Sequence, residues 1–225
     1  MTIAGIIFDF DGVLIESEYI GNLQIARTLT DLGYPTTVDQ ALANFVGLGG
    51  KDFLDAVAAH IGEPVPDGFH AARKAEDARV LAQGIEAIRG AVAFVRSLPA
   101  DLPRAIASSS TTHWIETHLT HIGLRDAFGP HIYSGREHVA RGKPAPDIYL
   151  HAAQAISIDI AHALIIEDSP VGVTGAVASG AHVVGLAVGQ HCGPGHETIL
   201  RKAGAPVVVD DFAAIAAMLD GRVVA

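Results

Sequence analysis

Residues 3–17 read IAGIIFDFDGVLIES. The run from Ile3 to Phe8 is almost wholly apolar, the pattern of a strand covered on both faces. It stops at two carboxylates, Asp9 and Asp11, with Gly12 directly behind them. Burying either carboxylate unpaired costs several kcal/mol or forces it to take up a proton. A strand that ends this way needs a compensating charge from elsewhere in the chain. Side chains at i and i+2 of a strand point to one face, so Asp9 and Asp11 are expected to address one small ligand. Gly12 permits a tight turn and a close approach of backbone to that ligand.

More short apolar runs follow: RAIAS (104–108), HIYS (131–134), ALII (163–166), HVVGLAV (182–188) and PVVV (206–209). Helical patterns separate them. Ile115, Leu119 and Ile122 sit at i, i+4 and i+7, as do Ile148, Ala152 and Ala155. This alternation predicts an α/β protein with a doubly wound, mostly parallel, Rossmann-like sheet and helices on both faces. Ligands of such sheets bind beyond the carboxyl ends of the strands, where Asp9, Ser108 and Glu167 fall. One region breaks the alternation. Residues 17–85 read as helices, with Gly33, Gly62 and Gly84 as expected stops and Pro35, Pro64 and Pro66 marking loops. A helical cap is expected there, inserted after the first strand and standing above the strand ends. Residues 1–16 and 86–225 would form the α/β core.

The 225-residue chain carries a formal net charge of −10 and is 49% hydrophobic and 18% charged. These values describe a globular protein with a sizeable core. They argue against nucleic acid or an anionic membrane as partner, and they mean that a phosphate site needs local cations. No apolar stretch approaches the ~18 residues of a membrane span, and the N-terminus lacks the basic segment of a signal peptide. The one cysteine, Cys192, cannot form an internal disulfide, which suits a reducing cytoplasm. A monomer or a homodimer fits equally.

Separated stretches fall at the expected strand ends or in nearby loops: DFDGVL (9–14), SSS (108–110), RGKPAPD (141–147) and IIEDSPVG (165–172). Asp9, Asp11 and Asp168 form an oxygen-rich set suited to Mg²⁺. Pro170 suits the first position of a helix capped by Asp168 or Ser169. Lys143, in a Gly-Lys-Pro turn, is a fixed point charge. The three serines offer hydroxyls and N–H groups at the start of a helix, a ready anion site. Together these parts fit phosphoryl transfer. A carboxylate attacks a dianionic phosphate monoester only if the charge is offset, which Mg²⁺ and Lys143 would do, with Ser108 donating to a phosphoryl oxygen. One aspartate attacks phosphorus and the other protonates the leaving alcohol, then deprotonates the attacking water.

In that order the motifs DFDGVL, SSS, GKPAPDIY and EDSPVGV resemble those of the haloacid dehalogenase-like superfamily. More narrowly, the chain is similar to the small-helical-cap branch, which includes sugar-phosphate phosphatases, phosphoglycolate phosphatases and β-phosphoglucomutases. The resemblance spans essentially the whole chain. It implies a Mg²⁺-dependent phosphatase acting on a small phosphorylated metabolite through an aspartyl-phosphate. By the same resemblance Asp9 is nucleophile and metal ligand, and Asp11 is acid/base and gives its backbone carbonyl to the metal. Ser108 and Lys143 hold the phosphoryl group. Asp168 is a metal ligand, and Glu167 acts on the metal directly or through water. Asp11 argues against haloacid dehalogenation and phosphonate cleavage, which lack that second aspartate. The mutase branch carries a cap-hinge histidine twelve residues after the nucleophile, where this chain has Gly21, and an arginine where Gly50 and Lys51 stand. A non-catalytic binding protein on the same fold would be marked by a lost catalytic residue, and none is lost.

Three further features are open to two uses. Gly47, Gly49, Gly50 and Lys51 in FVGLGGKDFL suit a loop reaching the substrate, with Gly47 and Lys51 as its contacts, or a plain inter-helix turn. Ser109 is a second phosphate donor or a capping residue. QHCGPGH gathers His191, Cys192 and His196, which invites a zinc reading, but with no fourth ligand in sequence a surface loop is the better expectation. Arg73 and Lys74 fit a solvated helix face.

Overall fold

The computed structural model describes residues 3–46, 48 and 50–220. Along the chain run β1 (Gly5–Phe8), α1 (Ser17–Asp31), α2 (Val38–Phe45), α3 (Gly50–Ile61), α4 (Asp67–Gln83), α5 (Ala91–Ser97), β2 (Arg104–Ser108), α6 (Thr112–His121), α7 (Arg125–Phe128) and β3 (Ile132–Ser134). Then follow α8 (Asp147–Ala155), β4 (Ala163–Glu167), α9 (Pro170–Ala178), β5 (His182–Leu186), α10 (His196–Lys202), β6 (Val207–Val209) and α11 (Phe212–Asp220).

β1 lies inside a sheet of order β3-β2-β1-β4-β5-β6 with every pairing parallel. The order reverses between β1 and β4, the crevice where ligands of such sheets bind. Phe8 sits level with Ile106 of β2 and Ile166 of β4. β1 therefore ends two residues before β2 and one before β4, and Asp9, Ser108 and Glu167 all fall at the carboxyl edge of the sheet. Every expected strand is present. Ile3 and Ala4 precede β1, and β5 stops two residues short of its apolar run. β4 runs one residue longer than its run, because Glu167 stays in the ladder opposite Gly185.

The strands alternate large and small. Ile6, Phe8, Ile106, Leu164, Ile166, Val184 and Leu186 face Phe94 of α5, Ile115 and Leu119 of α6 and Ile215 of α11. Phe8 packs edge-on against Phe94 and Phe128, at centroid distances of 6.1 and 5.5 Å, contacts worth about 0.5–1.5 kcal/mol each beyond burial. The other face carries Ile7, Ala105, Ala107, Ala163, Ile165 and Val183. Its small residues let α8 and α9 lie close to the sheet. That closeness brings α8 residue Tyr149 beneath the end of β4.

Helices α1 to α4 follow one another without a strand and hold a separate apolar cluster of Ile25, Leu29, Ala41, Phe45, Val57 and Phe69. α2 opens with a reciprocal capping box between Thr37 and Gln40. The helical segment joins the sheet through a short two-stranded neck. Ile15 bridges antiparallel to Ala87, Glu16 N donates to Glu86 O at 3.0 Å, and Ile88 N donates to Leu14 O at 3.0 Å. Among the described residues no helix is long and apolar enough to cross a membrane.

One buried side chain in α6 is poorly served. His118 is fully buried, 4.3 Å from the Trp114 ring, and neither ring nitrogen has a hydrogen-bond partner among the described residues. Burial pulls its pKa down to about 4. An unfolded histidine takes its proton near 6.5. Between these values the unfolded state binds the extra proton, so His118 weakens the fold as pH falls from about 6.5 towards 4. His118→Leu is expected to raise stability at pH 5 by about 1–3 kcal/mol and to flatten the acid limb. Urea melts of both proteins at pH 5 and 7 check this.

Candidate active site

Asp9 lies one residue beyond β1, its N–H donating to Ile166 O at 3.0 Å. Its carboxylate is buried, and Lys143 answers it. The ammonium, arriving on the loop between β3 and α8, donates to Asp9 Oδ1 at 2.6 Å and to Glu167 Oε1 at 2.5 Å. Lys143 is only 5% exposed in this position. Burial opposes its charge, but Asp9 and Glu167 outweigh that and hold its pKa well above that of a free lysine.

Glu167 is fully buried and fully engaged. Oε1 also accepts from Tyr149 OH at 2.6 Å, and Oε2 accepts from Ser169 Oγ at 3.1 Å and Ser169 N at 3.3 Å. Ser169 in turn caps α9, accepting from Gly172 N at 3.0 Å with Pro170 at the first helical position. Of the two expected caps, Ser169 takes the role, and this leaves the side chain of Asp168 free for another. A Cβ on Gly172 would fall 2.0 Å from the Glu167 carboxyl group. Glycine there is a requirement of the buried charge, not of the helix.

Asp168 is also buried. Its Oδ2 pairs with His191 Nε2 at 2.8 Å, whereas Oδ1 is buried with no hydrogen-bond partner among the described residues. Asp9, Glu167 and Asp168 each bring a carboxylate oxygen within 4.8 Å of the others. Burial, and then the charge of Glu167, push Asp9 and Asp168 well above the usual carboxylate range. Three buried carboxylates around one ammonium leave a surplus of negative charge. The donors are all oxygen, and Asp168 Oδ1 is orphaned. Both features fit a hard divalent cation.

Asp11 belongs to a different neighbourhood. β1 has ended before either aspartate, so the strand geometry that would aim both at one point does not apply. Ser17 Oγ donates to Asp11 Oδ1 at 2.7 Å, Ser110 Oγ to Oδ2 at 2.6 Å and Trp114 Nε1 to Oδ1 at 3.1 Å, with Ser108 Oγ at a long 3.4 Å. Asp9 therefore works beside a cation and Asp11 among neutral donors. Ser108 joins the Asp11 group, its Oγ also accepting from Ser110 N at 3.0 Å.

The structure redistributes several expected site residues. Ser109 is exposed, and it is Ser110 whose hydroxyl reaches Asp11. Lys51 lies exposed in the first turn of α3, paired with Asp55 one turn on. Gly47 lies outside the described residues. The QHCGPGH segment is exposed at Gln190 and at residues 193–195, as a surface loop is, but it turns its two histidines inward. His191 and His196 are buried, at 5% and 9% exposure, because the segment folds back over the end of β4. His196 Nε2 donates to Asp168 O at 2.7 Å. Burial lowers the pKa of both rings. Tyr149 and Trp114 were not singled out. Tyr149 stands inside the GKPAPDIY motif itself. Trp114 could have been placed from Thr111, which caps α6 and sets the register that turns the indole towards Asp11.

A family model described as haloacid dehalogenase-like hydrolase matches residues 6–186. The chain belongs to that family. Within it, the chain is 25% identical over 194 residues to the 6-phosphogluconate phosphatase of Escherichia coli (strain K12), covering 85% of this chain and 86% of the relative. It is 30% identical over 182 residues to the validoxylamine A 7'-phosphate phosphatase of Streptomyces hygroscopicus subsp. limoneus, covering 80% and 84%. A crystal structure of a haloacid dehalogenase-family hydrolase from Deinococcus radiodurans R1, with bound phosphate and sodium, superposes with a TM-score of 0.85 at 31% identity. That match covers 97% of this chain and 96% of the other. The family's Asp-x-Asp-Gly start has a steric explanation here. Gly12 adopts φ +75°, and a Cβ on it would lie 1.9 Å from Asp168 Oδ2 and 3.1 Å from His191 Cε1. Gly12→Ala is expected to push the Asp168 carboxylate off its seat, to lower Tm and to raise the Mg²⁺ concentration for half-maximal activity by about 10-fold or more. Thermal melts and a Mg²⁺ titration of activity check both effects.

Proposed function

We propose that this enzyme, a phosphoric monoester hydrolase, removes the phosphoryl group from a small phosphorylated metabolite of the sugar-phosphate type through an aspartyl-phosphate on Asp9. The observation that carries this reading is the Lys143 ammonium held 2.6 Å from the buried Asp9 carboxylate by the fully engaged Glu167. A lysine so placed offsets charge where a phosphoryl group meets a carboxylate. The names of the relatives, phosphatases of 6-phosphogluconate and of validoxylamine A 7'-phosphate, support the substrate class.

An Asp9 carboxylate oxygen attacks phosphorus, the bond from phosphorus to the ester oxygen breaks, and Asp11 gives its proton to the departing alkoxide. Water then attacks the phosphoryl-Asp9 and loses a proton to Asp11. The bond from phosphorus to the Asp9 oxygen breaks, inorganic phosphate leaves and Asp9 is restored. Ser108 donates to a phosphoryl oxygen. Mg²⁺ would be held by Asp9, the free Oδ1 of Asp168 and the backbone carbonyl of Asp11, and supplies charge neutralisation for the phosphoryl oxygens. Glu167, with both oxygens already accepting, seats Lys143 and acts on the metal through charge.

Residues 17–85 act as a cap in this reading, joined through the Ile15–Ala87 neck, and residues 1–16 and 86–225 as the catalytic core. Ser17, the first residue of α1, hydrogen-bonds Asp11, so the base of the cap touches the acid/base directly. The mutase alternative has less support. Gly21 brings no side chain to the neck side of α1, and Lys51 pairs with Asp55.

Asp9→Asn is expected to lower phosphate release at least about 10³-fold with the circular dichroism spectrum unchanged. Near-normal turnover would remove Asp9 as nucleophile. Chelation with EDTA should abolish activity, and added Mg²⁺ should restore it. Asp11→Asn is expected to lose far more activity on alkyl phosphates than on p-nitrophenyl phosphate, whose leaving group needs no proton. Equal losses in the rate of Asp9 phosphorylation, read from single-turnover kinetics, would deny Asp11 the acid role. Phosphate release across sugar phosphates, phosphoglycolate and nucleotides, beside a glucose 1-phosphate isomerisation assay, tests the substrate class and the mutase alternative together.

A further inference from the structure

A carboxylate that holds a metal through one oxygen must have its other oxygen fixed, or the group rotates and the metal is lost. Asp168 shows this division. Oδ2 lies 2.8 Å from His191 Nε2, with the two side chains 3% and 1% exposed, and Oδ1 is buried and has no partner among the described residues. With Asp168 ionised, the bond places a proton on His191 Nε2, which then donates. His196, five residues on, donates Nε2–H to the backbone oxygen of the same aspartate at 2.7 Å. Two imidazoles, His191 from the segment between β5 and α10 and His196 from the first position of α10, thus grip one residue, by side chain and by backbone. The segment is itself anchored, with Gln190 N donating to Glu16 Oε2 at 3.1 Å and Cys192 N to Gly189 O at 2.9 Å. The His191 ring has room only because Gly12 and Gly189 lack a Cβ, which would stand 3.1 and 2.5 Å from it.

We propose that His191 is a positioning residue for the metal site. It fixes Asp168 Oδ2 so that Oδ1 alone is presented to the cation, and His196 locks the backbone behind it. This rests on Asp168 being a metal ligand, as in the proposed function. Outer partners of this kind set ligand orientation and affinity. His191, Cys192 and His196 also lie close enough to share a transition metal, with ligand atoms within 4.8 Å of one another. Both Nε2 atoms, however, already bond Asp168, and Cys192 Sγ lies 3.3 Å from His191 Nε2, so a metal there would have to use the Nδ1 atoms or break these contacts.

The test is Mg²⁺ affinity of the metal-free full chain, by calorimetry and by Mg²⁺-induced thermal shift, for the wild type, His191→Leu, His191→Gln, His191→Asn, Cys192→Ser and Asp168→Ala. His191→Leu is expected to weaken Mg²⁺ binding about 10- to 100-fold and to raise the Mg²⁺ needed for half-maximal activity by the same factor. KM for p-nitrophenyl phosphate at saturating Mg²⁺ should stay within about two-fold, since the phosphoryl group is held elsewhere. His191→Gln, whose amide N–H reaches as far as Nε2, should recover most of the affinity. His191→Asn, one methylene shorter, should not, and this comparison decides the matter if His191→Leu fails to fold. Cys192→Ser should bind Mg²⁺ as the wild type does. Folded His191→Leu with wild-type affinity, beside a weakened Asp168→Ala, overturns the positioning role and leaves Asp168 as ligand. Equal affinity of the Gln and Asn variants overturns it too. An unchanged Asp168→Ala removes the metal-ligand reading and this inference with it. One equivalent of Zn²⁺ retained by the wild type and lost in Cys192→Ser would make the loop a metal site instead.

Discussion

The arrangement turns on one buried ammonium. Lys143 lies between Asp9 and Glu167 at 2.6 and 2.5 Å, away from water. Neither carboxylate is tolerable in that place without it, and removing one partner of a buried pair typically costs about 3–5 kcal/mol. Much of the surrounding structure answers to this constraint. Tyr149 and Ser169 satisfy the remaining lone pairs of Glu167, and Gly172 leaves room for its carboxyl group. The small residues Ala105, Ala107 and Ala163 let α8 approach closely enough for Tyr149 to reach. The balance is still incomplete, since Asp168 adds a third carboxylate to one cation. A divalent cation, as in the proposed function, would balance that charge.

Topology explains why these groups meet at all. β1 pairs with both β2 and β4, and the three end within two residues of one another. The residues at their ends come from positions 9, 108 and 167 of the chain. The site is therefore assembled by strand register, which the apolar ladder beneath it determines. A slip of one residue at β4 would turn Glu167 away from Lys143 and swing Ile166 onto the face packed by α8 and α9. Stability of the sheet and geometry of the site are in this sense one property.

The two aspartates of DFDGVL show how close neighbours in sequence acquire different work. Asp9 faces an ammonium and two further carboxylates. Asp11 faces two serine hydroxyls and an indole N–H. One of those hydroxyls belongs to Ser17, at the base of α1, so the helical segment and Asp11 are in contact. The segment's own apolar cluster is separate from both faces of the sheet. Its outer surface can consequently vary without disturbing the carboxylate cluster.

The sequence alone determined the fold class and the strands, and it singled out Asp9, Asp11, Lys143 and Asp168, which the fold gathers beyond the end of β1. The reason is physical. Doubly covered strands must be almost wholly apolar, so a polar group at such a strand's end stands out, and motif spacing orders those groups along the chain. Ser108 and Glu167 were legible by position, but not what each bonds to. Tertiary structure alone decided that Ser110 rather than Ser109 reaches Asp11, that Trp114 and Tyr149 complete the two neighbourhoods, and that Lys51 pairs within its own helix. It also turned His191 and His196 inward from an otherwise exposed loop to grip Asp168. Hydrogen bonds between residues 23 or more apart, such as His191 with Asp168, depend on where a loop folds back. No local pattern of residues encodes that path.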